Sequence, residues 1–270
     1  MNRLAVLGHP VSHSKSPAMQ NAALADLGLA DWQYQAIDVA PEDFAALVRE
    51  LPGKGFAGVN VTVPHKEAAL AVADEASDAA RAIGAANTLT FRDGAISADN
   101  TDAPGLIDAL AVPAGDLAGK PALVLGAGGA GRAVVWALAG AGMKVMLWNR
   151  TRSRAEDLAL ELGVEVIPPA QHAGIDPGPF TVIVNASAAG LGGRDGLAEL
   201  PIDAGGFHAG QTVVDMVYGE SQGTLLEAAD WAGAKVVDGL EILVRQGARS
   251  LEIWTGKRPD LAIMRAAITR

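Results

Sequence analysis

PALVLGAGGAGRAVVWALAGAGMKVMLWNRTRSR, residues 121–154, reads in succession as strand, glycine turn, helix and strand. Ala122–Leu125 is a short apolar run of the kind that forms a parallel strand covered on both faces. Gly126, Gly128, Gly129 and Gly131 follow at once. An apolar stretch from Ala130 to Gly142 is long enough for a helix, and Lys144–Trp148 is the next strand. Gly126, Gly128 and Gly131 occupy the three positions of G-x-G-x-x-G. The first permits a tight turn, the second lets backbone approach a pyrophosphate, and the third lets helix pack closely on strand. Free N–H groups at the start of the helix then face the phosphates. Glycines alone say little in a chain with 32 of them. Here the flanking strands and helix favour a dinucleotide site over an unliganded βα turn.

The end of the second strand selects the dinucleotide. An NAD site usually places Asp or Glu there, against the ribose 2′-hydroxyl. This chain has Asn149, Arg150, Thr151, Arg152 and Arg154, with no acid before Glu156. A carboxylate would repel a 2′-phosphate, whereas guanidinium groups hold one bidentately. The segment therefore reads as an NADP site; the plainer alternative is a solvated, basic start to the next helix.

Working outward, 270 residues suggest two domains. Half of them are hydrophobic, enough to bury substantial cores. A net charge of −10 argues against nucleic acid or an anionic membrane as the main partner. With no cysteine, disulfides, thiolate metal sites and cysteine nucleophiles are excluded. No apolar run reaches the roughly 18 residues of a membrane helix, and MNRLAVLGHP lacks the apolar length of a signal peptide. A cytoplasmic protein is expected, with a small-molecule substrate and either a monomeric or a homodimeric state. There is no low-complexity tail and no short-period repeat.

From the N-terminus, Leu4–Leu7 is a strand ending in the polar loop GHPVSHSKSP, and Pro17 opens a helix. The loop carries Ser12, Ser14 and Ser16; Ser16 suits a helix cap, and three hydroxyls also suit a hydroxyl-rich ligand. Strands follow at Trp32–Asp38 and Gly58–Val63, the latter with Asn60 and Thr62 on one face. Lys66 comes just after that strand, where open α/β sheets bind ligands and where a helix start disfavours a cation. Asn87–Arg92 and Ala95–Asp99 flank Asp93-Gly94, a hairpin signal. Then come Asp99, Asn100, Thr101 and Asp102, for which Thr101 or Asp102 capping the next helix is the plain reading. Ala111–Lys120 looks like a linker, after which strands and helices alternate again from Pro121. NASAAG at 185–190 is a small-residue loop that suits the nicotinamide half of the cofactor. Two α/β domains with mostly parallel sheets follow from this alternation, with a cleft between them as the expected active site. His9, His13, His65, His172 and His208 show no metal-binding spacing and read as structural or loop residues.

The residues now assembled resemble the shikimate dehydrogenases along nearly the whole chain. HSKSP at 13–17, NVTVPHK at 60–66, AANT at 85–88, DNTD at 99–102, GAGGAGRA at 126–133, NRT at 149–151, DGLEILVRQGA at 238–248 and WTG at 254–256 match in order. The resemblance implies NADPH-dependent reduction of 3-dehydroshikimate to shikimate in aromatic amino-acid biosynthesis, with Lys66 and Asp102 as the catalytic pair. It implies substrate contacts from Ser14, Ser16, Thr62, Asn87, Tyr218 and Gln246, with Asn60 close by. On the cofactor side it implies Gly126, Ala127, Gly128, Gly129, Ala130, Asn149, Arg150, Thr151, Arg154, Met216 and Gly239, with Asp78 toward the nicotinamide end. It implies a substrate domain of residues 1–103 plus 239–270 and a Rossmann-type, doubly wound NADP domain of residues 104–238. The chain departs from the family pattern after Tyr218, with Glu220 and Gly223 where proline and threonine are usual and Thr224 one place late. NASAAG also lacks the commoner Thr-Ser pair. The competing readings are a relative acting on quinate or another cyclic hydroxy acid, and an NADP-binding sensor without turnover. The presence of both Lys66 and Asp102 argues against the sensor.

Overall fold

A computed structural model describes residues 2–171, 174–219 and 223–269; His172 and Glu220 lie outside the described residues. The chain divides into two compact units, Met1–Gly105 with Leu243–Arg270, and Leu106–Ile242.

The first unit contains β1 (Asn2–Gly8), α1 (Ser16–Asp26), β2 (Trp32–Asp38), α2 (Phe44–Glu50), β3 (Phe56–Val61), α3 (Lys66–Val72), β4 (Glu75–Ala76), α4 (Asp78–Ile83), β5 (Thr88–Arg92) and β6 (Ala95–Asp99). It also holds the first turn of α5 (Asp102–Leu110), as far as Gly105, so one boundary between the units falls inside that helix. Six strands form one sheet in the order β2-β1-β3-β5-β6-β4. β1 runs parallel to β2 and β3, while β5 is antiparallel to both β3 and β6. Three of the five pairings are parallel, in keeping with a mostly parallel sheet, and the expected hairpin supplies the antiparallel pair β5–β6. The two-residue turn at Asp93 (φ 52°) and Gly94 (φ 80°) is too short for a crossover and forces reversal. This topology brings four chain segments to one edge: the ends of β1 and β3, the start of β5 and the end of β6. The core beneath includes Leu7, Phe44, Val48, Val59, Ala69 and Leu89.

The second unit contains β7 (Pro121–Leu125), α6 (Gly129–Gly140), β8 (Lys144–Trp148), α7 (Arg152–Leu162), β9 (Glu165–Val166), β10 (Val182–Asn185), β11 (Thr212–Asp215), α8 (Thr224–Trp231) and β12 (Lys235–Val237). All its strand pairs are parallel, in the order β12-β11-β10-β7-β8-β9. The chain winds outward through β8 and β9, then returns to β10 on the other side of β7. The point where the winding reverses, between β7 and β10, is where such sheets bind ligands. Ala122–Leu125 is fully buried, as a central strand covered on both faces requires. Ala111–Lys120 lies within this unit, and Lys235 Nζ donates to Pro113 O there (2.8 Å).

The closing helices are α9 (Gly239–Thr255) and α10 (Leu261–Ala266). From Leu243 onward they belong to the first unit. α9 rests on the sheet where Gly58 of β3 offers no side chain: a Cβ there would overlap the Trp254 indole. Trp254 Nε1 instead donates to Leu89 O of β5 (3.1 Å). Among the described residues no helix is long and apolar enough to cross a membrane.

Candidate active site

In the first unit, Lys66 is the first residue of α3, just beyond the end of β3. Its Nζ donates to Asp102 Oδ2 at 2.6 Å, and the two side chains are only 12% and 6% exposed. Burying an ion pair is costly, and a stability role alone would be served as well by apolar packing. A shielded lysine paired with a carboxylate, at a sheet edge where chain ends converge, has the form of a proton-transfer site.

Asp102 is free for this role because another residue caps α5. Asn100 Oδ1 accepts from the N–H groups of Asp102 (3.1 Å) and Ala103 (3.3 Å). The cap is therefore neither Thr101 nor Asp102: Asn100 precedes the helix, and its side-chain oxygen reaches the N–H groups two and three residues on.

The other oxygen of Asp102 meets Asn87. Asn87 Oδ1 faces the Thr101 N–H (2.8 Å), which can only donate, so this end of the amide is its oxygen. The opposite end is then the NH₂ group. It donates to Asp102 Oδ1 (2.9 Å), with Thr101 Oγ1 (2.9 Å) and Gln246 Oε1 (3.2 Å) also in range. Both oxygens of Asp102 therefore accept, one from Asn87 and one from Lys66. The Gln246 amide is oriented in the same manner, because its Nε2 donates to Leu243 O (2.7 Å).

Asn60 proves to be a structural member of this network. It is buried, its Nδ2 donates to Ser250 Oγ (2.8 Å) and Asn87 O (3.1 Å), and its Oδ1 accepts from Tyr34 Oη (2.8 Å). Ser250, fully buried on α9, also meets Thr88 Oγ1 (2.8 Å) and Thr101 Oγ1 (3.1 Å). Nothing in the local sequence around Tyr34 or Ser250 pointed to them; their partners are 26 and up to 190 residues away.

Around the same sheet edge, Ser14 and Ser16 lie at the end of the loop leaving β1. Ser16 is buried, and its N–H donates to Ser14 Oγ (3.3 Å); α1 itself begins after Lys15 with no side-chain cap, so Ser16 does not serve as the cap. Lys15 is tied to Ile268 O (3.0 Å). Thr62 is half-buried and packs so close to Gly8 that a Cβ there would lie 2.5 Å from its methyl group. Asp78, by contrast, is fully exposed and pairs with Arg81 (2.7 Å). His65 is buried, stacked on Phe44 and bonded to Val39 O (2.8 Å); burial holds its pKa below the usual range. His9 pairs with Asp38 (2.7 Å), His13 with Ser12 (3.2 Å), and His208 closes a turn through Gly178 O and Gly210 N–H. Among the described residues no cluster is suited to a metal ion.

In the second unit the parallel strands send their carboxyl ends to one edge. Gly126 (φ +119°) follows β7, and a Cβ on it would lie 2.8 Å from Ala186 O in the loop after β10. A Cβ on Gly131 would run into Gly126 O. Gly128 faces open space and caps α6 without any side-chain hydrogen bond, and the first turn of α6 holds no acid. Next along the edge, Met216 N–H donates to Asn185 O (2.9 Å), and buried Gly239 would, with a Cβ, sit 2.8 Å from Met216 O. Tyr218 is half-buried two residues on.

Asn149 joins the two sides of the turn: its Oδ1 accepts from Ala127 N–H (3.1 Å), and its Nδ2 donates to Thr151 O (2.8 Å). Arg152 is held by Glu156 (2.7 Å), yet its Nη1 is buried without a hydrogen-bond partner. Arg150 and Arg154 are exposed, and among the described residues neither makes an ion pair. The uncapped helix start, the clear space at Gly128 and these donors fit a dinucleotide bearing a 2′-phosphate. Thr224 uses its hydroxyl on Asp195 (2.6 Å), while Gly223 leaves open the position 3.3 Å from Asp215 Oδ2.

Comparison with known proteins adds an independent line. Residues 6–89 match the shikimate dehydrogenase substrate-binding domain, residues 109–172 the shikimate/quinate 5-dehydrogenase family, and residues 239–269 the shikimate 5′-dehydrogenase C-terminal domain. A shikimate dehydrogenase (NADP(+)) of a Ruegeria species is 43% identical over 95% of this chain and 93% of its own length. That of Thermus thermophilus is 44% identical over 100% of this chain and 98% of its own. The crystal structure of the Thermus thermophilus enzyme with NADP(H) and shikimate covers 99% of this chain and 98% of that one, at 43% identity and a TM-score of 0.88.

Proposed function

The chain belongs to the shikimate dehydrogenase family, and from that premise we propose how its own residues interconvert shikimate and 3-dehydroshikimate with NADP(H). The enzyme is an NADP-dependent oxidoreductase acting on a secondary alcohol. The observation that carries the residue assignment is the shielded Lys66–Asp102 pair.

NADPH, when bound, supplies the hydride for reduction, and NADP⁺ accepts it in the reverse direction. Lys66 Nζ donates a proton to the substrate's carbonyl oxygen as the alcohol forms. In oxidation the same nitrogen takes the hydroxyl proton as the C–H bond breaks. Asp102 holds the lysine in place and accepts on both oxygens, so its task is orientation and charge balance rather than donation. Asn87 keeps Asp102 in position. Gln246, Thr62 and the two serines are the substrate-facing groups, with Ser14 and Ser16 toward the carboxylate. On the cofactor side the turn Gly126–Ala130 takes the pyrophosphate, and Arg150 and Arg154, with Asn149 and Thr151, take the 2′-phosphate. Met216, Gly239 and Tyr218 lie toward the reacting end.

The test is absorbance at the nicotinamide band with shikimate and then quinate, each with NADP and NAD. Quinate carries an extra hydroxyl on the carbon bearing the carboxylate, and two serines offer it no additional partner. We expect kcat/KM to favour shikimate by at least about tenfold, or ~1.4 kcal/mol. Equal values for the two acids would transfer the assignment to a quinate-type activity, and no turnover of either would return it to a sensor.

A further inference from the structure

Asp215 is a buried acid that the chemistry above does not use. It ends β11, is only 4% exposed, and burial raises its pKa to about 6. Such a group is costly to keep, so its contacts should account for it. Its Oδ1 accepts from Asn185 Nδ2 (2.9 Å), at the end of β10, and from the Val217 N–H (3.0 Å), two residues along its own chain. Asn185 in turn shapes the loop that follows it. Its Oδ1 accepts from Ser187 N–H (3.1 Å) and Ser187 Oγ (2.7 Å), and its Nδ2 also reaches Ala189 O (3.2 Å). One carboxylate oxygen thus ties the loop after β10 to the segment after β11. Both neighbours donate to it, and a carboxylate has no donor end to present by mistake.

We propose that Asp215 is a positioning residue for the cofactor's nicotinamide end: it locks the 186–189 loop and the Met216–Tyr218 segment into one arrangement. This rests on the reading that these segments receive that end of NADP, and it assigns no chemical step to Asp215. The Arg150 side of the site lies across β7 and β8 and does not depend on this tie.

The test compares binding of NADP with binding of adenosine 2′,5′-bisphosphate, which lacks the nicotinamide half, in the full-length protein by calorimetry. Asp215→Leu removes the tie while keeping the branched shape at Cγ. We expect NADP to bind at least tenfold more weakly, with the bisphosphate changed by less than threefold. Asp215→Asn keeps an accepting oxygen and should restore NADP binding to within threefold of the parent. Should Asp215→Leu fail to fold, Ser187→Ala cuts the same network at an outer member and should weaken NADP alone by at least threefold. Equal losses for both ligands would mark Asp215 as merely structural and overturn the proposal, as would an unchanged NADP affinity. Failure of the parent protein to bind the bisphosphate at all would instead strike the cofactor assignment itself.

Discussion

Lys66 has a carboxylate as its partner and only a small exposed fraction, so its nitrogen is placed for one proton donor–acceptor exchange. A group of that kind acts in the transition state and contributes roughly 10²–10⁴ in rate. Lys66→Ala is expected to lower kcat by that factor while KM changes far less and NADP binding is kept. Retention of more than a tenth of the parent kcat in steady-state assays would falsify the assignment. Asp215 allows a separate expectation about stability. Its pKa is about 6 in the folded protein against 3.8 in the reference state, so the folded form binds the proton more tightly. Stability therefore falls as pH rises from about 4 to 6 and stays reduced above that, by on the order of 2–3 kcal/mol. Asp215→Asn removes the penalty. Its melting temperature should exceed that of the parent by several degrees at pH 7.5, with the gap narrowing as pH falls and closing only below about pH 4; a pH-independent difference would contradict this.

Elements decide which of the charged residues are available. β8 ends in a turn that Asn149 stitches to the glycine loop, and α7 begins immediately after it. Within that first turn Arg152 is engaged by Glu156 at i, i+4, whereas Arg150 precedes the helix and has no such neighbour. A charge-assisted hydrogen bond contributes roughly 1.5–3 kcal/mol, or about 10–150-fold in affinity. Arg150→Asp should weaken NADP by at least the lower figure while sparing NAD. An equal loss for both cofactors, measured by fluorescence titration, would remove the 2′-phosphate contact from Arg150. The glycine turn itself was legible in the sequence, because G-x-G-x-x-G states its own steric reasons. Which arginines stay unpaired was not, since Glu156 competes for one of them only once α7 has formed.

At the scale of the whole molecule, the first unit is assembled from both ends of the chain. Leu251, Trp254, Met264 and Ile268, all from the final segment, are buried within it. At roughly 1.5–3 kcal/mol for each large side chain, their removal would cost about 6–12 kcal/mol, comparable with the entire stability of a typical domain. A chain ending at Ile242 is expected to leave residues 2–105 unprotected in hydrogen exchange, with shikimate turnover lost. Protection of β1 and β3 equal to that in the full chain would show the first unit to be independent of α9 and α10.

By itself the amino-acid sequence determined what depends on near neighbours and on residue type. The alternation of strands and helices, the glycine turn, the absence of an acid after β8, and the presence of Lys66 and Asp102 all belong there, as does the resemblance that named the chemistry. Tertiary structure decided what depends on competition among distant polar groups. It turned the Asn87 amide by means of the Thr101 N–H, so that Asp102 accepts on both oxygens. It moved the helix cap to Asn100, drew Asn60 into a buried network with Tyr34 and Ser250, and set the expected hairpin against β3 through β5. It also buried Asp215 between two loops. The physical reason is common to these cases: an amide or carboxylate takes its orientation from whichever donors and acceptors packing leaves within about 3 Å of it, and those partners come from other elements of the chain.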